Sequence, residues 1–470
     1  MPETRATSGP DLHLDLAGPR VRAGLETALR EAVRGGRLRP GTRLPSSRAL
    51  AADLGVARNT VADAYGQLVA EGWLASRHGA GTWVAERIAP AGVPATPPVP
   101  RASRARYDLR AGVPDLAAFP RPAWLAAARR ALAAAPNETL GYTDPRGLPQ
   151  LRAALAGYLA RARGVAVTAD RIVVCSGFAQ GLELLCEVLR SRGGRTIAAE
   201  AYGHLRYHRI AVAKGLSVRP LPVDAGGAVT GALGDADAAL LTPAHQFPLG
   251  MPLAAPRRRQ AAGWAIARGG FVIEDDYDGE LRYDRPSVGA MQALAPEHIV
   301  YAGTASKSLA PGLRLGWLVL PASLAAGVAE AKDATGRLTS SLDQLTLAEF
   351  ITSGAYDSQI RRARLAYRRR RDRLVAMLAA HAPPVRVSGI AAGLHALLEL
   401  PAGQREEDVV ARAARHGLAI EGLRAYTAAG HERAPALIAG YATPPGHAFT
   451  TALARLCAAL SPDAERLPRG

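Results

Sequence analysis

The chain has 470 residues, 48% hydrophobic and 21% charged, a balance that suits a globular protein of two or three domains. No stretch reaches 18 apolar residues without a charge, and the first eighteen residues lack an apolar core, which argues against a membrane span or a secretory leader and predicts a cytoplasmic protein. The formal net charge of +17 suits an anionic partner or simply reflects an Arg-rich proteome; the three cysteines, Cys175, Cys186 and Cys457, sit scattered in apolar runs and predict core packing, with no disulfide framework and no metal site.

The first predicted element is an amphipathic helix over residues 19–37, with Val21, Leu25, Leu29 and Val33 on one stripe. "PSSRALAADLG" follows as a second helix that Ser46 or Ser47 can cap and Gly55 ends. "VARNTVADAYGQLVAEG" is a third, with Val61, Ala64, Tyr65 and Leu68 inward. Two short helices around a tight turn form a helix-turn-helix. "WLASRHGAGTWV" then predicts a two-stranded wing with its tip at His78 to Gly81. In such a motif the second helix enters the major groove by its N-terminal end, here Arg58, Asn59 and Thr60, whose side chains suit base edges. Ser46 and Arg48 are placed to hold the DNA backbone, and His78 and Gly79 at the wing tip join the DNA-binding set. The run from Gly36 to Leu74, closed by "GAGTWV", closely resembles the winged helix-turn-helix of the GntR family of bacterial transcription regulators; the resemblance covers roughly residues 18–86.

Residues 87–106, "RIAPAGVPATPPVPRASRAR", carry four arginines and no acid. Rich in Pro and Ala and without apolar periodicity, they predict an extended linker that spans roughly 60 Å at about 3 Å per residue. The predicted domains are therefore 1–86 and 107–470, joined by 87–106. The large domain opens with a helix from Pro122 to Ala135. It continues with short apolar strands: "RIVVCSG", "TIAAE", "AALLTP", "GGFVIEDD", "HIVYAGT" and "RLGWLVLP". Helical runs such as Ala179–Arg190 and Pro256–Ala267 separate several of them, which predicts an α/β domain with a mainly parallel sheet and ligands at the strand C-terminal ends. After Ser340 helical patterns dominate, followed by "HALLEL" and "ALIAGYAT", a smaller α+β subdomain. One helical stretch, Ile360 to Leu374, holds eight arginines and reads either as a solvated face or as a stripe for DNA phosphates.

Only Lys214, Lys307 and Lys332 among the 58 Lys and Arg are lysines. Arginine serves wherever a positive charge is enough; a lysine can lose its proton and form an imine. Lys307 lies in a Gly/Thr/Ser-rich turn between two apolar runs, "YAGTASKSLAPGLRLGWLVLP". Upstream, "FVIEDDYDGELRY" exits a strand into an acidic cluster. A calcium loop fails there because its twelfth position is Arg285. A hydrolase Ser-x-x-Lys fails because position 304 is Thr. A pyridoxal phosphate site fits: it needs a lysine, a carboxylate for the pyridine nitrogen, a hydroxyl for the phenolate oxygen and phosphate donors. Asp275 and Tyr277 supply the carboxylate and the hydroxyl; Thr304, Ser306 and Arg314 suit a phosphate. Ser176, Gly177 and Phe178 open a helix whose N-terminus suits the same anion.

"GYTDPRGLPQLRAALAGYLARARGV", "TPAHQFPLG" and "GTASKSLAPGLRLGW", in this order over about residues 107–465, resemble a fold-type-I aminotransferase domain. A GntR-type winged helix joined to such a domain resembles the MocR-type regulators. The resemblance implies pyridoxal 5'-phosphate as cofactor, with Lys307 as imine former, Asp275 at the ring nitrogen, Tyr277 at the phenolate oxygen and Arg314 at the phosphate. The chain departs from the relatives in "EAYGHLRYHR", where they often have a Pro and a Tyr; here Tyr202 or His204 is expected to stack on the cofactor ring and Arg206 to reach the ligand site, whereas Asp276 and Asp278 are expected to serve the structure, as caps or paired with Arg282. Where aminotransferases place an arginine to clamp the substrate carboxylate, this chain aligns Ile438, with Arg433 nearby. The expectation is a homodimeric regulator that binds operator DNA and senses pyridoxal phosphate or an amino compound bound to it, in control of vitamin B6 or of amino-acid and amine metabolism. The rival is an active aminotransferase with a fused DNA-binding module.

Overall fold

Leu25, Ala28, Leu29, Ala32 and Val33 recur at helical spacing, and the helix Val21–Arg34 buries that face. In the computed structural model, which describes residues 21–77, 79–86, 105–283 and 288–461, it packs on the next two helices. Helix Ser47–Leu54 is capped by Ser46, whose Oγ accepts from the Ala49 amide at 3.1 Å, and ends at Gly55 in the left-handed conformation, φ 65°. Helix Arg58–Ala70 follows after a three-residue turn, with Val61, Ala64, Tyr65 and Leu68 buried. Arg30 grips Glu71 with two 2.8 Å hydrogen bonds, tying the first helix to the end of the third. Leu74–Arg77 and Gly81–Val84 pair antiparallel, Leu74 opposite Val84, to make the wing. His78 and linker residues 87–104 lie outside the described residues. The chain divides into two units, Met1–Ala102 and Ser103–Gly470.

The larger unit is built on a seven-stranded sheet. Its order is Ile172–Cys175, Gly316–Val319, Ile299–Thr304, Phe271–Asp275, Ala238–Leu241, Thr196–Glu200, Ser217–Leu221. All neighbours are parallel except those of Gly316–Val319, which runs against both its partners. The central strands are buried on both faces, as their unbroken apolar runs require. Val173 and Cys175 face helices Phe178–Ser191 and Ala322–Ala334; Ile172 and Val174 face Pro149–Arg163 and Ser341–Thr352. All three cysteines are buried and free.

Around the four-stranded antiparallel sheet of the C-terminal subdomain pack helices Ala355–His381, Glu406–Arg415 and Phe449–Leu460. The two-residue strand Tyr107–Asp108 pairs in parallel with Leu418–Ala419, so the first residues after the linker are stitched to this subdomain. That pairing is too short to carry a sequence pattern. The acidic loop after Asp275 is held differently from expectation. Pairing with Arg282 gives way to Arg163, which meets Asp276 at 2.7 Å with both side chains 1% exposed, and to His245, whose Nδ1 lies 2.9 Å from Asp278. Arg163 also donates to the Gly279 carbonyl, so a long-range ion pair fixes the loop.

Candidate functional site

Parallel strands bring their C-terminal ends to one edge of the sheet, and the candidate residues gather there. Asp275 is the last residue of its strand and Thr304 the last of the next. Thr304 Oγ1 accepts from the Ser306 amide at 3.1 Å and donates to Ser306 Oγ at 2.9 Å, folding the turn that presents Lys307. Lys307 Nζ donates to the Gly112 carbonyl at 2.6 Å. Lys307, Asp275, Tyr277, His204 and Tyr202 line one cavity with Gly112. Burial pushes the Lys307 ammonium below its usual range, against the pull of Asp275 and Asp278, so the free amine is more accessible than in an ordinary lysine. The same burial pushes the Asp275 carboxyl up, opposed by Lys307. The other lysines serve the fold: Lys214 pairs with Glu183 and Glu187, and buried Lys332 donates to the carbonyls of Pro145 and Val174.

The anion end is built from backbone. Gly177, at φ 97°, caps helix Phe178–Ser191 without a side chain, and a Cβ there would stand 3.6 Å from the Arg314 guanidinium. The Ser176 amide is taken by the Gln180 side chain at 2.7 Å. Arg314 itself is held at φ 54°, the one non-glycine with positive φ among the described residues. Such a conformation costs on the order of 1–3 kcal/mol and gathers at functional sites. The strain turns this guanidinium toward the open helix N-terminus, where an anion finds both charge and amides.

Tyr202 and His204 part ways. The Tyr202 hydroxyl donates to the His431 carbonyl and Arg433 lies over its ring at 5.7 Å. His204 is stacked on Phe247 at 4.3 Å and 17°, and burial, then Lys307 and Arg206, push its pKa down to about 4. It is a neutral, flat wall of the cavity. Arg206 is exposed and does not line the cavity. Tyr277 donates to the His245 carbonyl at 3.0 Å. Ile438, the residue aligned with the aminotransferase clamp arginine, is fully buried opposite Leu397 and packed in an apolar cluster with Tyr202, Phe247 and Tyr426.

Residues not assigned from sequence complete the floor. Glu200 is buried and pushed up to about 7, opposed by hydrogen bonds from Thr242 and Gln246. His245, Asp278 and His395 each place one ligand-type atom within 4.8 Å of the others, a cluster that no sequence spacing flagged because its members are up to 150 residues apart. The stretch "TPAHQFPLG" holds Thr242, His245 and Gln246, but nothing local distinguishes their roles.

In the N-terminal unit Arg48, Arg58 and Asn59 are exposed and Thr60 half-buried. Helix Arg58–Ala70 starts at Ala57 without a side-chain cap, which leaves its first amides open beside Arg58 and Asn59. Ser46 Oγ accepts as a helix cap and keeps its hydroxyl proton to donate, and Gly79 lies exposed at the wing tip, φ 78°.

Residues 22–84 match the gntR family of bacterial regulatory proteins, and residues 107–430 match aminotransferase class I and II. The chain is 34% identical over 406 residues to the HTH-type pyridoxine biosynthesis transcriptional regulator PdxR of Corynebacterium glutamicum, covering 86% of this chain and 88% of that protein. It is 33% identical over 378 residues to the probable rhizopine catabolism regulatory protein MocR of Rhizobium meliloti, covering 75% and 76%. The chain belongs to the MocR-type subfamily of GntR-family transcription regulators. Its larger unit has the fold of an archaeal alanine:glyoxylate aminotransferase, TM-score 0.68 at 23% identity over 77% of this chain and 91% of that one. A Pyrococcus horikoshii kynurenine aminotransferase matches with the same score and coverage. Among the described residues no helix is long and apolar enough to cross a membrane.

Proposed function

We propose that this regulator binds pyridoxal 5'-phosphate through Lys307 and changes its operator affinity with the cofactor, or an amine presented to it, in the cavity. The observation that carries the reading is the meeting of Lys307 and Asp275 in one cavity at the sheet edge that also holds the Gly177–Arg314 anion cradle. The donor set fits the group: an amine with depressed pKa, a buried carboxylate, an anion cradle and a flat neutral wall. When bound, the cofactor supplies an aldehyde that reacts with primary amines and a ring that withdraws electrons. Lys307 would hold its aldehyde carbon, Asp275 would keep a proton on the pyridine nitrogen, and Arg314 with the Gly177 amide would neutralise the phosphate. His204 would offer its flat face to the ring, and Tyr277 its hydroxyl to the phenolate oxygen.

Regulation is favoured over turnover by Ile438. Transamination needs a substrate held so that its Cα–H bond breaks, and a carboxylate without a bidentate partner is poorly oriented, a loss on the order of a hundredfold. The bound ligand then acts through contacts it makes in one state and not another. Arg58, Asn59 and Thr60 read the operator, and Ser46, Arg48 and the wing tip position it. We place the protein in the cytoplasm as a homodimer. Exposed Leu125, Leu132 and Tyr142, at 67%, 53% and 103%, are apolar and aromatic surface that a second copy would cover. By likeness to PdxR, control of vitamin B6 metabolism is the first field to examine.

The test is a spectrum. Pyridoxal phosphate added to the purified protein should give a visible absorption band, and borohydride should fix the cofactor onto Lys307. Lys307→Arg, which keeps charge but cannot make the bond, should show neither; a borohydride-stable adduct in that variant would place the attachment elsewhere.

A further inference from the structure

Helix Ala355–His381 carries eight arginines between positions 361 and 373. The structure divides them by role. Arg364 donates to the Glu280 carbonyl. Arg370 donates to the carbonyls of Ala442 and Pro444 and pairs with Asp115 at 2.5 Å, bracing the helix against the subdomain. Arg371 is half-buried. The other five, Arg361, Arg362, Arg368, Arg369 and Arg373, are exposed.

At helical spacing these five form two adjacent rows, 361–368 and 362–369–373. A face kept only for solubility mixes its signs. Here one acid lies in the rows, Asp372, whose carboxylate is 4.0 Å from Arg368 Nε with both side chains 62% exposed. Arg361 and Arg362 bond to neutral partners, Ser358 Oγ at 2.9 Å and Gln359 Oε1 at 3.0 Å, which orients their guanidinium groups without cancelling charge. Five arginines against one aspartate leave a strong positive excess. From Arg361 to Arg373 the helix rises about 18 Å. That is the rise of roughly five base pairs at about 3.4 Å each.

We propose that this face is a second nucleic-acid surface: it neutralises backbone phosphates of the duplex held by the winged module, without reading bases. It rests on the reading of that module as the operator binder. Guanidinium groups fit phosphate oxygens in pairs, and a row of them follows a phosphate backbone without base information. Duplex DNA is favoured over other polyanions because the chain already brings it close. Twenty linker residues cannot exceed roughly 70 Å even fully extended, so DNA bound by one unit stays at high local concentration around the other.

The test uses the full chain with Arg362, Arg369 and Arg373 all changed to Gln, and operator titrations between 50 and 200 mM salt, values that bracket roughly physiological strength. The slope of log affinity on log salt should shrink by about 3, near 0.9 for each phosphate that is no longer neutralised, with operator preference over random duplex unchanged. The triple Arg→Lys variant should restore the slope, and the melting temperature should match wild type because the three side chains are exposed. Arg58→Ala, run beside them, should instead relax sequence preference. A Gln variant that keeps the wild-type slope overturns the second surface and leaves the operator reading standing. The same holds if it keeps that slope but loses binding to anionic phospholipid vesicles, which would reassign the face to lipid.

Discussion

Lys307 Nζ donates to the carbonyl of Gly112, a residue a few positions after the first strand that follows the linker. This contact joins the reactive amine to the segment through which the larger unit continues from the linker. An ammonium has three N–H groups and an imine nitrogen at most one, so modification of Lys307 would weaken or redirect its donation to the Gly112 carbonyl. Hydrogen exchange of residues 107–115 should therefore rise on addition of pyridoxal phosphate and stay constant in Lys307→Ala, already at the raised level. Protection that is indifferent to cofactor in both proteins would show that the contact carries no signal.

Arg314 trades backbone strain for placement of its charge. Arg314→Gly should relieve the left-handed conformation and raise unfolding stability by on the order of 1 kcal/mol. It should also weaken pyridoxal phosphate binding by on the order of tenfold or more, since a hydrogen bond to a charged group contributes about 1.5–3 kcal/mol. Denaturant unfolding of the cofactor-free protein and a cofactor titration read the two effects separately. A variant that loses both stability and affinity would mean that Arg314 is mainly a packing residue.

Glu200 makes stability fall as pH rises. Its folded pKa of about 7 lies above the ordinary 4.5, because burial outweighs the hydrogen bonds from Thr242 and Gln246. Between those values the folded state binds the proton that the unfolded state has released, so stability drops from about pH 4.5 and levels off above about 7. Glu200→Gln removes the titration. Its stability relative to wild type should rise across this window by up to about 3 kcal/mol, at 1.36 kcal/mol per pH unit. A wild-type and variant difference that is flat from about pH 5 to 8 would place the titration in another group.

On the DNA side, Arg58→Ala should cost about 1–3 kcal/mol on the operator and relax specificity at one position. Arg48→Ala should weaken all duplexes alike and lower the salt slope by about one. An effect of Arg48→Ala on the operator alone would make it a base reader.

Much of this is legible in local pattern. Ser46 and Gly55 bound their helix because capping and left-handed turns are local chemistry. The strands ending at Cys175, Asp275 and Thr304 are visible because strands buried on both faces read as short apolar runs. Composition narrows the imine candidates to three lysines, and the Gly/Thr/Ser-rich turn between two apolar runs singles out Lys307. What stays hidden depends on distant partners. The sequence suggests that Asp276 pairs with Arg282, six residues away; it meets Arg163 instead, 113 residues away. Arg314 takes its positive φ just after the turn at Pro311–Leu313, and Gly112 meets Lys307 across 195 residues, four positions after a strand stitched to the C-terminal subdomain. The Arg-rich helix shows its charge in sequence, but which arginines brace the fold emerges only from their partners.

The decisive measurement of cofactor-controlled DNA binding is operator titration with and without pyridoxal phosphate, on wild type and Lys307→Ala side by side and with a coupled transaminase assay on the same samples. The cofactor should shift wild-type operator affinity by about 5- to 150-fold, the usual range of coupling between sites, and leave the variant unmoved. Little or no steady product should form. An unshifted operator affinity together with turnover near ordinary enzyme values, about ten per second, would contradict cofactor control and make the protein an enzyme with a DNA-binding appendage.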